Sequence, residues 1–274
     1  MIQGQLSFQI LSIRTRLQLY KLYYIIFFSS FTILLSHNNL GPEHEKHLQQ
    51  TVKGEHNPHP GWASRDIRHS GGPDSFGYIF IDSNEPGGPQ FNYINFEGET
   101  ITDMGDDDYR GPIQLPFEFS FYGEIYSQVF INSNGFISFD TGSGIYNNSF
   151  IPDLGIPNNL ISLFWDDLNP SAGGIIEHGQ VGDTWVCSFT NIREYGGSGT
   201  ITAQVILTEN DEIIFQYLDF SNGFDINGET IGIENSEGNA GLMASLDSNP
   251  ASYPEESLAI QFSRIEPNAS VSGF

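Results

Sequence analysis

Residues 200–220 read TITAQVILTENDEIIFQYLDF. In the first arm Ile201, Ala203, Val205 and Leu207 take every second position, and Ile213, Phe215 and Tyr217 do the same in the second. A period of two places each set on one face of an extended strand, whereas a helix would repeat its apolar residues at spacings of three and four. Glu209, Asn210 and Asp211 lie between the arms. Asn and Asp tolerate left-handed backbone angles and bond their own amides, so this is turn chemistry. The stretch predicts a β-hairpin.

The same grammar runs outward in both directions. VFINSNGFISF (129–139) sets Asn132, Ser133, Asn134 and Gly135 between two aromatic arms and predicts a second hairpin. Further candidate strands are FGYIFI (76–81), FNYINF (91–96), LPFEFSFY (115–122), YSQVFIN (126–132), GFISFD (135–140) and LISLFW (160–165). GIIEHG (174–179), TWVCSFTNI (184–192), ETIGIEN (229–235) and LAIQFS (258–263) complete the set, and no stretch keeps a helical apolar period. So many strands overfill one twisted open sheet. The expectation is an all-β chain, a two-sheet antiparallel β-sandwich over residues 71–264 followed by a tail, 265–274.

Ahead of this module Arg14, Arg16 and Lys21 precede the uncharged run LYYIIFFSSFTILLS (22–36). A basic segment followed by an apolar one of this length is the pattern of an export signal. Residues 1–36 are expected to be a signal peptide or a short membrane anchor. The run falls short of the ~20 residues of a spanning helix, which favours cleavage, a secreted or cell-surface location, and no stable membrane span afterwards. Residues 37–70 carry His37, His44, His47, His56, His59 and His69 among Pro, Gly and mixed charges. Such tracts can bind metal. Irregular spacing and few apolar residues point instead to a disordered linker.

Charge is split along the chain. The formal net charge is −24, yet residues 1–70 hold seven Lys or Arg against four acids, and the remainder holds only Arg110, Arg193 and Arg264 against 30 acids. Nucleic-acid affinity comes chiefly from cations neutralising phosphates, so DNA and RNA are excluded as partners. Cations or cationic partners would be attracted. The single cysteine, Cys187, excludes an intramolecular disulfide, and its apolar neighbours in TWVCSFTNI predict a buried inert thiol. A bacterial secreted protein with a core of this size needs no disulfide.

Several segments together resemble the nidogen-like extracellular β-sandwich modules of large bacterial secreted proteins. They are GGPDSFGYIFIDSNEPGGPQFNY (71–93), GDDDYRGPIQLPFEFSFYG (105–123), YSQVFINSNGFISF (126–139) and LISLFWDDLNPSAGG (160–174). GGSGTITAQVILTENDEIIFQYLDF (196–220) and ETIGIENSEGNAG (229–241) belong with them. The resemblance implies a noncatalytic accessory module that binds or adheres outside the cell, its partner an extracellular protein or glycan, with no catalytic residue set. Such modules typically sit inside longer chains, whereas this sequence stops at Phe274. A structural accessory domain, or a piece of a larger secreted enzyme such as a peptidase, is the alternative.

Acidic loops carry the strongest local chemistry. Asp103, Asp106, Asp107 and Asp108 crowd one turn, and Asp166 and Asp167 follow LISLFW. These six are the candidate calcium ligands, because calcium gathers six to eight oxygens from such loops. A solvated acidic turn is the competing reading, since EF-hand spacing is absent. Asp166 and Asp167 could also serve as a hydrolytic acid and base, but consecutive strand residues face opposite ways. A third loop offers Asp219, Asn222, Asp225 and Asn227 amid ordinary Asn-Gly turns. His178 stands without a nucleophile elbow, and neither HExxH nor CxxC occurs. Among the aromatics, Trp62, Trp165 and Trp185 read as core more readily than as a sugar-stacking face.

Overall fold

A computed structural model describes residues 69–246 and 253–265 of the chain. The expected signal peptide or anchor (1–36), nearly all of the expected linker and the tail beyond Ile265 lie outside the described residues, as does Trp62. Along the chain the strands are β1 (Ser70–Gly71), β2 (Tyr78–Asp82), β3 (Glu99–Thr100), β4 (Tyr109–Phe121) and β5 (Glu124–Asn132). Next come β6 (Phe136–Ser138), β7 (Leu160–Trp165), β8 (Leu168–Asn169), β9 (Ile175–Val181) and β10 (Thr184–Glu194). The last are β11 (Thr200–Thr208), β12 (Ile213–Ser221), β13 (Thr230–Glu234), β14 (Gly241–Leu246) and β15 (Leu258–Arg264). The only helical element among the described residues is a single turn, Pro170–Ala172, and no helix there is long and apolar enough to cross a membrane.

The strands form two antiparallel sheets packed as a sandwich. The larger runs β1-β2-β15-β12-β11-β10-β9-β3, with β8 also paired to β10; the smaller runs β14-β13-β7-β6-β5-β4. The hairpin over 200–220 stands at the centre of the larger sheet, with Leu207 paired to Ile213 and Asp211 at φ 60° in its turn. Ile201, Ala203, Val205, Leu207, Ile213, Phe215 and Tyr217 all face the core, which they share with Phe119, Phe121, Val129, Ile131, Ile161 and Leu163 of the smaller sheet. The Tyr217 hydroxyl donates to the Leu163 carbonyl at 2.6 Å and so ties the sheets together. Trp185 belongs to this core, while Trp165 lies with Phe136, Ile151 and Leu160 in a smaller cluster.

FNYINF (91–96) is not a strand, contrary to expectation. It crosses the outer face of the larger sheet as an extended strap, and glutamine side chains stand in for a partner strand. The Asn92 amide donates to Gln216 Oε1 at 3.0 Å and the Ile94 amide to Gln204 Oε1 at 2.9 Å. Gln204 Nε2 returns a bond to the Ile94 carbonyl at 3.1 Å. This explains why the supposedly outward residues of the central hairpin, Gln204 and Gln216, are buried. Truncating the amide in Gln204→Leu leaves the Ile94 N–H and C=O under the strap without partners. It should cost about 2 kcal/mol in urea unfolding, and an unchanged midpoint would show that the strap does not depend on that ladder.

Short or atypical strands were the other departure. β1, β3 and β8 are two residues each, too brief for a periodic signal. β14, GLMASL, lacks the β-branched and aromatic residues that mark a strand.

Candidate functional site

Three connections meet at one end of the smaller sheet: the loop entering β4, the β5–β6 turn, and the loop leaving β7. The β5–β6 turn is Ser133, Asn134 and Gly135, with Gly135 at φ 80°. A left-handed glycine closing a short hairpin loop is favoured because it carries no Cβ. Its neighbours then serve as connectors. The Asn134 carbonyl accepts from Asp166 N at 3.3 Å, and its Oδ1 accepts from Leu168 N at 3.0 Å. Asn134 Nδ2 donates to Asp107 Oδ1 at 3.3 Å. Ser133 holds the entering loop from the other side: its amide donates to the Asp108 carbonyl and its Oγ accepts the Asp108 amide, both at 2.9 Å.

The result is a convergence of carboxylates. Asp106, Asp107 and Asp167 each offer an oxygen, and these oxygens lie within 4.8 Å of one another. The group contains oxygen donors and no imidazole or thiolate, which suits a hard cation such as calcium or magnesium better than zinc or copper.

The remaining three sequence candidates are placed differently. Asp108 Oδ2 is 2.6 Å from Arg110 and accepts the Gly105 amide at 3.0 Å. Burial works to raise its pKa, but the Gly105 and Tyr109 amides and the Arg110 guanidinium together hold it below the usual range. Asp103 is exposed at φ 59°, and its carbonyl receives the Arg110 guanidinium. Asp166 lies past the end of β7, where its Oδ1 accepts the Asp167 amide at 2.7 Å. Burial, joined by the charges of Asp167, Glu194 and Asp225, pushes its pKa up to about 7. Sequence reasoning missed Asn134, which it read only as a turn residue; no local signal marks it as the connector.

The other singled-out residues are structural in their contacts. His178 is buried beside Trp185, ring centroids 6.0 Å apart, and desolvation lowers its pKa despite nearby Glu99. Cys187 is fully buried, and burial drives its thiol pKa up, away from the nucleophilic thiolate. In the third acidic loop Asp225 Oδ1 accepts the Asn227 amide at 3.0 Å, Ser221 Oγ donates to Asp219, and Asn222 takes φ 57° at the turn.

The model of the family described as NIDO related, the nidogen-related family, matches residues 83–270, well over half of the chain. Neither the curated proteins nor the solved structures gave a match.

Proposed function

The chain belongs to the nidogen-related family, and from that premise we propose that it is an exported, noncatalytic module that binds a protein or glycan outside the cell. Calcium held by the aspartate corner fixes its loop end. The family itself points to an extracellular module. What carries the calcium reading is the approach of Asp106, Asp107 and Asp167 to within 4.8 Å. Carboxylates that close repel one another unless solvated or bridged, and a hard cation bridging them would lock all three loops. Asp166, with its pKa near 7, would gain charge beside the ion. The surrounding surface, with three arginines against 30 acids after residue 70, favours cation entry.

Extracellular calcium modules have dissociation constants of roughly 0.1–1 mM. Thermal unfolding of the full chain in about 10 mM calcium against chelator should therefore raise the midpoint by roughly 3–8 °C. Protons compete for the same oxygens, so the rise should be larger at pH 8 than at pH 5. Asp107→Asn with Asp167→Asn should abolish it. A midpoint indifferent to calcium at both pH values would return the corner to a solvated acidic turn.

A further inference from the structure

The opposite end of the smaller sheet holds a second feature. The nine residues of β5 carry the chain roughly 25–30 Å from the aspartate corner to the β4–β5 turn, Tyr122–Gly123. Both turn residues are left-handed, at φ 49° and 87°, the two-residue geometry that matches strand twist. A tyrosine in that conformation is strained, and it is held by its contacts: its hydroxyl donates to Asp74 Oδ2 at 2.8 Å while Phe76 packs edge-on at 5.2 Å. Around this turn lies a groove of about 310 Å³ whose lining includes Phe76, Tyr122, Tyr126, Glu124, Glu237 and Asn239.

We propose that this groove receives a lysine or arginine side chain from a basic polypeptide. The volume suits one side chain better than a run of sugar rings. Phe76 remains 42% exposed and brings a partly open aromatic ring to the groove, a partner for a cation–π contact. No Lys or Arg lines the groove. Its two amides each spend a donor within the lining: Asn235 Nδ2 donates to Asn239 Oδ1 at 2.9 Å and Asn239 Nδ2 to Glu237 Oε2 at 2.7 Å. The Glu124 and Glu237 carboxylates make the lining anionic and acceptor-bearing, and ammonium and guanidinium groups are donors only. The phenol of Tyr126 reports the same field, its pKa raised by burial and by Asp140 and Glu124. Beside the groove Gly238 backs onto the 153–158 loop, where Leu154 and Ile156 stand 61% and 79% exposed. Exposed apolar side chains on a neighbouring loop suit a polypeptide over a free cation.

The proposal rests on reading the chain as a binding module but not on the calcium corner, so the two fail separately. A fluorescein-labelled peptide of alternating arginine and glycine, titrated into the full chain at physiological salt, gives the readout by anisotropy. Phe76→Ala, which leaves the net charge intact, and Glu124→Gln with Glu237→Gln should each weaken binding about tenfold. Glu209→Gln with Asp183→Asn, which removes the same charge at two exposed turns, should change it less than twofold, and thermal midpoints should stay within a few degrees. Equal losses in both double variants would reduce the effect to general attraction and overturn the groove. So would absence of binding, or a neutral oligosaccharide whose binding alone is lost in Phe76→Ala.

Discussion

Gly135→Ala should cost the fold about 3–5 kcal/mol, enough to leave a marginal domain largely unfolded. Two causes act together. The residue sits at φ 80°, where an L side chain pays about 1 kcal/mol of backbone strain. In addition, a Cβ built there would lie 1.9 Å from the Phe164 carbonyl oxygen and 2.8 Å from its carbon. That obstacle is backbone of a central strand and cannot rotate away. The Gly135 carbonyl also accepts from Phe164 N at 2.9 Å, so moving the turn off β7 breaks a bond at the place where Asn134 connects the three loops. Gly182 provides the control: its φ is 60° but nothing lies within 4 Å of its would-be Cβ, so Gly182→Ala should show only the strain, about 1 kcal/mol. Urea midpoints of the two variants separate the causes. Similar losses in both would mean that the β5–β6 turn relaxes freely and that the aspartate corner is not a rigid platform.

The contrast between those glycines shows how far the chain could be read without coordinates. Both hairpins were legible because alternation and turn chemistry are local, and LISLFW and TITAQVILT coincide with β7 and β11. The strap was not, because FNYINF has the composition of a strand and only the distant Gln204 and Gln216 decide that it crosses the sheet instead of joining it. The acidic candidates were legible as a crowd. Which of them meet was not, since Asp107 and Asp167 come together through Asn134, far from either in sequence. The groove at the β4–β5 turn left still less trace: Phe76, Tyr122 and Glu237 come from three separate segments, and each alone reads as an ordinary turn or strand-edge residue.

Glu234→Gln should stabilise the protein at pH 9 by about 3 kcal/mol and leave it nearly unchanged at pH 4 to 5. Glu234 ends β13 with 1% exposure, and burial, opposed in part by the Asp153 amide and reinforced by the Asp153 charge, raises its pKa from 4.5 to about 8. The folded state therefore holds this proton more tightly than the unfolded chain does, and stability falls as pH rises through the interval between the two values. Below 4.5 the side chain is neutral in both states and there is no penalty; above 8 the penalty is complete. A shift of that size is worth a few kcal/mol. Gln keeps an oxygen for the Asp153 amide, which Glu234 Oε1 accepts at 2.5 Å, while removing the charge. Asp166, raised to about 7, acts in the same direction, so the variant should retain a shallower decline. Asp108 opposes both at the acid end: its lowered pKa stabilises the fold above the ordinary aspartate range, and that contribution is lost as pH falls through the lowered value. Urea unfolding at pH 5, 7 and 9 in chelator tests the sign. A wild-type stability that rises across that span would mean that Glu234 is ionised at no cost, with a cationic or solvated partner that its buried position at the end of β13 does not provide.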